Sequence, residues 1–186
     1  MKTLLIAAVL ITPFVTTLAN AGDDAMLDEA RKLATTLPPR LLAALQQEIN
    51  KSGPEGAILV CKDMAPKMAG EISRQTGWKI KRVSLKARNE ARAIPDAWEK
   101  AALEDFDKRA AAGEPPAQLE KGEKIDNEYR YVKALPVQQL CLGCHGPVDQ
   151  LTPAVKSALA QHYPNDLATG YSAGQIRGAI SVRKPF

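Results

Sequence analysis

The chain has 186 residues, with 25 Lys and Arg against 21 Asp and Glu, and three cysteines. This length suits one core, and a composition of 45% hydrophobic and 25% charged residues excludes wholesale disorder and fibrous low-complexity sequence. Three cysteines are too few for a disulfide-stapled scaffold, and a weak basic excess without a basic run or interleaved aromatics excludes a nucleic-acid footprint.

At the N-terminus, Met1-Lys2-Thr3 precedes an apolar run from Leu4 to Leu18 and then Ala19-Asn20-Ala21-Gly22. One positive charge, a short apolar stretch and a small-x-small site form the pattern of a secretory signal peptide over residues 1–21, cleaved after Ala21. The run is shorter than a spanning helix needs and carries Thr12 and Pro13. The expectation is therefore a single domain over residues 22–186, exported to the periplasm and not inserted in the membrane after cleavage.

Leu27, Ala30, Leu33, Ala34 and Leu37 fall at helical spacing, as do Leu41, Leu42, Leu45 and Ile49 after an interruption at Pro38-Pro39. Ser52-Gly53-Pro54 predicts the end of that second helix. An apolar run, Gly56 to Cys61, then leads into a short helix through Ile72. From Trp78 to Leu85 the apolar positions alternate and then switch face, which predicts a strand with a bulge near Arg82. Asp96 and Glu99, three apart after Pro95, give a capping-box signal for a helix reaching Ala112. Residues 110–117 read as a loop, and Tyr129 to Leu135 and Gln175 to Val182 read as strands. The sum is an α+β fold: N-terminal helices and a small antiparallel sheet.

The densest basic cluster, Lys79, Lys81, Arg82, Lys86 and Arg88, reads first as a solvated face, with a site for an acidic partner or for the carboxylates of a cofactor as the alternative. The segment Cys141-Leu142-Gly143-Cys144-His145 is far more specific. Cys-x-x-Cys-His lets two thiols add across the haem vinyl groups while the next imidazole reaches the iron as an axial ligand. It predicts one covalent haem c, with thioethers at Cys141 and Cys144 and His145 as proximal ligand. A redox dithiol needs no following histidine, and half of a zinc site lacks its second ligand pair. Haem c is attached outside the cytoplasm in bacteria, so the leader supports the haem reading independently. Candidates for the second axial position are Cys61, His162, Met26, Met64 and Met68; for His162 the plainer role is capping carbonyls at a helix end, and for the methionines filling the core. Arg177, with Arg183 and Lys79 to Arg82, is a candidate contact for haem propionates.

Several stretches together resemble one family. They are Ala57 to Cys61 with Ala65-Pro66, Trp78 to Asn89, Pro95 to Glu99, Leu140 to Gly146, and Tyr163-Pro164 through Gly170-Tyr171 to Val182. The family is a bacterial and cyanobacterial group of single-haem c-type proteins with a PAS-like fold, and the resemblance covers most of residues 22–186 in the same order. Glu90 after Arg88-Asn89 departs from its pattern. The resemblance implies a PAS-like antiparallel sheet with N-terminal helices, and His145/Cys61 axial ligation. A thiolate at Cys61 favours ferric iron and so implies a low potential. The expected function is redox or gas sensing, or low-potential electron transfer, with a redox or signalling protein or a diatomic gas as partner. The alternative is a plain electron carrier with His/Met ligation through Met64 or Met68. A haem enzyme would need a distal acid–base pair, and the sequence displays none.

Overall fold

The computed structural model describes residues 19–186, with side chains from Gly22 onward. The leader expected over residues 1–21 lies outside the described residues except for Ala19–Ala21, whose backbone begins the first helix. The chain opens with helices: α1 (Ala19–Ala34), α2 (Leu37–Leu59), a π-helical turn (Val60–Met64) and α3 (Ala65–Thr76). Pro38 and Pro39 sit in the first turn of α2, where a missing N–H leaves no bond unmade. Gly53 does break α2, at φ 75° and ψ 175°, but the helix resumes directly after it. The Gly56–Cys61 run is therefore helical, widening into the π turn at Val60.

The remainder is β1 (Lys79–Val83), α4 (Glu90–Ala93), α5 (Ala97–Ala111), β2 (Glu120–Ile125), β3 (Glu128–Pro136), α6 (Leu142–His145), α7 (Pro153–His162) and β4 (Ile176–Pro185). The four strands form one antiparallel sheet in the order β1-β4-β3-β2, so the last strand of the chain lies in its interior. The expected class, α+β with N-terminal helices and an antiparallel sheet, is the one found.

Helices cover both faces of the sheet. Ala30, Leu33 and Leu37 with Ile72 of α3 pack with Trp78, Ile80, Tyr131 and Val182 on one side. On the other, Leu103 and Phe106 of α5 pack with Val83, Val132 and Ala179. A buried side chain of the size of Phe106 contributes about 2–3 kcal/mol through burial alone. This two-sided cover corrects the reading of β1. Its pairing with β4 runs without a bulge from Lys79↔Arg183 to Val83↔Ala179. The switch of apolar face arises because Ile80 meets one helical layer and Val83 the other. The irregularity in register lies instead between Leu135 and Pro136 of β3, where proline has no N–H to give to the ladder. Strand β2, exposed along most of its length, has no counterpart among the strands expected from the sequence.

The capping box is present as expected: Glu99 N donates to Asp96 Oδ1 at 3.0 Å and Asp96 N donates to Glu99 Oε2 at 2.9 Å. Glu99 is wholly buried and also accepts from Ser181 Oγ at 2.7 Å and Lys81 Nζ at 2.8 Å, which ties α5 to β4 and β1. A third layer forms where Ile58 of α2 packs with Val155, Leu159 and Tyr163. Among the described residues, no helix is long and apolar enough to cross a membrane.

Candidate functional site

The helical segment from Leu37 to Gly70, the ends of β1, β3 and β4, and the Cys141–His145 segment enclose a cavity of about 540 Å³. Its lining includes Cys61, Cys141, Cys144, His145 and Arg177. The structure thus brings Cys61, Cys141, Cys144, His145 and Arg177 to one cavity; of the other residues singled out for the propionates, Lys81 and Arg82 line it and Lys79 and Arg183 do not.

Local geometry explains how the motif is presented. After β3 ends at Pro136, the chain makes a short turn in which Cys141 N donates to the Gln138 carbonyl at 2.9 Å. Then α6 supplies a single turn, closed by Gly146 N donating to the Leu142 carbonyl at 2.9 Å. A Cβ at position 146 would lie 2.7 Å from that carbonyl oxygen, so only glycine closes the turn this tightly. Cys144 Sγ lies 3.6 Å from the Pro54 carbonyl, just past the break in α2. Burial pushes the Cys144 thiol up to about 11; Arg88 opposes this, and Cys61 and Cys141 nearby add to it. All three cysteines are free thiols. Among the described residues no three His, Cys, Asp or Glu side chains form an ion cage.

The His145 ring is held by backbone. Its Nδ1 lies 2.7 Å from the Ala168 carbonyl oxygen, which can only accept, so Nδ1 carries the proton and Nε2 keeps a lone pair. Arg177 Nε, 3.2 Å from the same Nδ1, is then a charge neighbour and not a donor to it. Arg88 Nη1 lies 3.4 Å from Nε2. Burial, then the charges of Arg88 and Arg177, hold the imidazole far below its ordinary range, in the neutral form that metal ligation needs. Tyr171 packs edge-on against the ring with centroids 6.3 Å apart.

A strap over residues 166–171 fixes this arrangement. Gly170 N donates to the Gly146 carbonyl at 2.8 Å, Tyr171 N to the His145 carbonyl at 2.9 Å, and Leu167 N to the Ala87 carbonyl at 3.0 Å. Arg177 Nη1 donates to Ser84 Oγ at 2.7 Å and to the Lys86 carbonyl at 3.2 Å. Burial lowers the Arg177 guanidinium from its usual range.

Cys61 lies part-buried in the π turn, a widened helical geometry frequent at functional sites. The other axial candidates are elsewhere. Met64 is 43% exposed, and Met26 and Met68 pack against the core on the α1/α3 face of the sheet. His162 ends α7 with Nδ1 3.5 Å from Lys62 Nζ, in an adjoining hollow of about 300 Å³ that shares Arg88, Asn89 and Tyr163 with the cavity. None of these four lines the larger cavity. Sequence reasoning missed the roles of Arg88 and Tyr163. Arg88, placed on a solvated face, is 7% exposed and lines the cavity. Tyr163 lines it too, its hydroxyl pushed up to about 12 by burial and then by Cys61. Their only signal was membership in the stretches that carry the family resemblance.

A model of the Tll0287-like family matches residues 19–185, so the chain belongs to that family. A crystal structure of the cyanobacterial haem protein Tll0287 superimposes with a TM-score of 0.67 at 26% identity, over 87% of this chain and 95% of that one. No curated protein sequence matches the chain.

Proposed function

We propose that this member of the Tll0287-like family is a periplasmic protein that holds one covalent haem c and serves in redox or gas sensing or in low-potential electron transfer. The observation that carries the reading is the make-up of one cavity: its lining gathers Cys141, Cys144, His145 and Cys61 and includes no methionine. A volume of about 540 Å³ falls within the range of cofactor sites. The relative of known structure is itself a haem protein. The leader pattern over residues 1–21 fits export to the compartment where haem c is attached. Helices and an antiparallel sheet around a cavity are in keeping with a PAS-like character.

In this reading Cys141 and Cys144 would form the thioethers, and His145 Nε2 and Cys61 would hold the iron. Arg82 and Arg92 line the cavity and pair with no carboxylate among the described residues, which suits them to the propionates. Arg177 retains Nη2 for the same task. Bound there, haem would supply a one-electron couple and, were Cys61 released, a place for a diatomic gas. Cys61 as thiolate donates charge that favours the oxidised state and keeps the potential low. Release of Cys61 would shift the 60–64 turn, a change that a redox or signalling partner could read. The His/Met alternative draws nothing from Met64 or Met68, which lie outside the cavity lining. A peroxidase-like reading draws nothing from His162, which lies with Lys62 in the other hollow.

The test is optical and EPR spectroscopy of the ferric and ferrous protein beside Cys61→Ala, with a pyridine haemochrome assay. A low-spin thiolate signature that disappears in the variant, and a haemochrome with two thioethers, are expected. A variant spectrum identical to that of the parent sinks the axial assignment, and absence of haem sinks the whole reading.

A further inference from the structure

Arg88 and Asp166 are 78 residues apart in the chain and among the most deeply buried charged side chains, with 7% and 10% exposure. Arg88 Nε and Nη2 donate to Asp166 Oδ2 at 3.1 and 2.9 Å. The other carboxylate oxygen, Oδ1, accepts from Ala168 N at 2.8 Å. Arg88 Nη2 also reaches the Cys144 carbonyl at 2.5 Å and the Ala168 carbonyl at 3.2 Å. That Ala168 carbonyl is the acceptor for His145 Nδ1. One ion pair therefore grips both ends of the contact that orients the ring: the peptide carrying the acceptor and the backbone just before the histidine.

From this geometry we infer that the Arg88–Asp166 pair is a positioning device, which holds the Ala168 carbonyl against His145 Nδ1 and so fixes which ring nitrogen faces the cofactor cavity. Its consequence for an iron ligand rests on the haem reading above; its geometry does not. A buried ion pair is weak evidence for stability, because desolvation offsets most of the attraction. Its use here is specificity. Ligating histidines depend on the partner of their second nitrogen for tautomer and ring orientation. A backbone carbonyl on a loop can serve only if the loop itself is pinned, and Asp166 pins it two residues away.

The experiment is histidine-selective 15N NMR on the full chain as purified, comparing the parent with Asp166→Asn, Asp166→Ala and Arg88→Lys. Asparagine keeps an acceptor for Ala168 N but loses the charge that holds Arg88; alanine loses both; lysine keeps the positive charge but loses the planar fork. In the parent, the His145 Nδ1–H proton should be visible and slow to exchange with water. Exchange should be about tenfold faster in Asp166→Ala, the factor expected from losing a charge-assisted hydrogen bond, and intermediate in Asp166→Asn. Where Asp166→Ala does not fold, as judged by circular dichroism, Arg88→Lys carries the test, with faster exchange expected. Unchanged exchange in a folded Asp166→Ala or Arg88→Lys variant overturns the inference, as does a parent protonated on Nε2. A negative haemochrome assay on the same sample would count against the haem reading alone, since the proton signal still decides the positioning role.

Discussion

Gly178 in β4 backs onto Val83 in β1 so closely that a Cβ at position 178 would lie 2.2 Å from the Val83 carbonyl oxygen. Its φ of 158° adds a backbone geometry that other residues rarely adopt. Because the obstacle is backbone within a paired ladder, it cannot turn aside. Gly178→Ala is expected to prise β1 from β4 and to destabilise the fold by about 3 kcal/mol. Urea unfolding checks this: the midpoint should fall while the slope stays near that of the parent. An unchanged midpoint would contradict the close approach.

A smaller clash of the same kind sits at Gly146, where a Cβ would meet the Leu142 carbonyl oxygen at 2.7 Å. The turn it closes is local and lies at the end of α6, so Gly146→Ala should leave the sheet intact. Under the proposed function, the expected result is a several-fold loss in covalently attached haem per protein, read by haem staining after denaturing electrophoresis. Full attachment in the variant would show that the turn tolerates opening.

Glu99 is wholly buried and accepts from Lys81, Ser181 and Asp96 N. Glu99→Ala leaves Ser181 Oγ without its acceptor and removes the anion that holds Lys81. Lys81 is 36% exposed and can turn to water, which limits the penalty. The expected loss is about 2–3 kcal/mol, measured as a lower thermal midpoint. A loss confined to a few tenths would mean that the network is decorative.

Acid stability should depend on Glu120. Burial pushes its carboxyl up, but hydrogen bonds from Arg31, Tyr131 and Lys133 outweigh this and hold it below the usual carboxylate range. A depressed carboxylate contributes stability that is fully present above the unfolded value and is lost as pH falls through the folded one. The parent should therefore lose stability more steeply than Glu120→Gln below about pH 4.3, and the variant should be weaker at neutral pH by about 1 kcal/mol. Thermal melts from pH 7 to pH 2 would reveal parallel curves if the carboxylate is not so held.

How far the sequence discloses this molecule depends on whether a feature is local. The capping box at Asp96 and Glu99 and the Cys141–His145 motif are complete within a few residues, so they can be read directly. Strand β2 could not be, because Glu120 to Lys124 is mostly exposed and carries no apolar alternation; its partner β3 imposes the pairing. Strand β1 suggested a bulge because one-sided burial was assumed, and the sheet is covered on both sides. Arg88 looked like one member of a basic face, since nothing near it in the chain hints at Asp166. The elimination of Met64 and Met68 from the cavity likewise depended on which way the 60–76 segment turns.

The π turn at Val60–Met64 has a consequence for how such a site could arise. Helix α2 after its break, the turn and α3 follow one another without a loop, and a π turn is in effect an α-helix with one residue inserted. Each residue of an α-helix advances the chain by about 100°. Spread over the wider turn, the extra residue adds almost no net rotation, so deleting one codon there would restore regular winding and leave α2 and α3 in nearly their present relative orientation, while changing how the Cys61 thiol meets the cavity wall. The insertion thus acts on how one side chain is presented and not on the packing on either side of it.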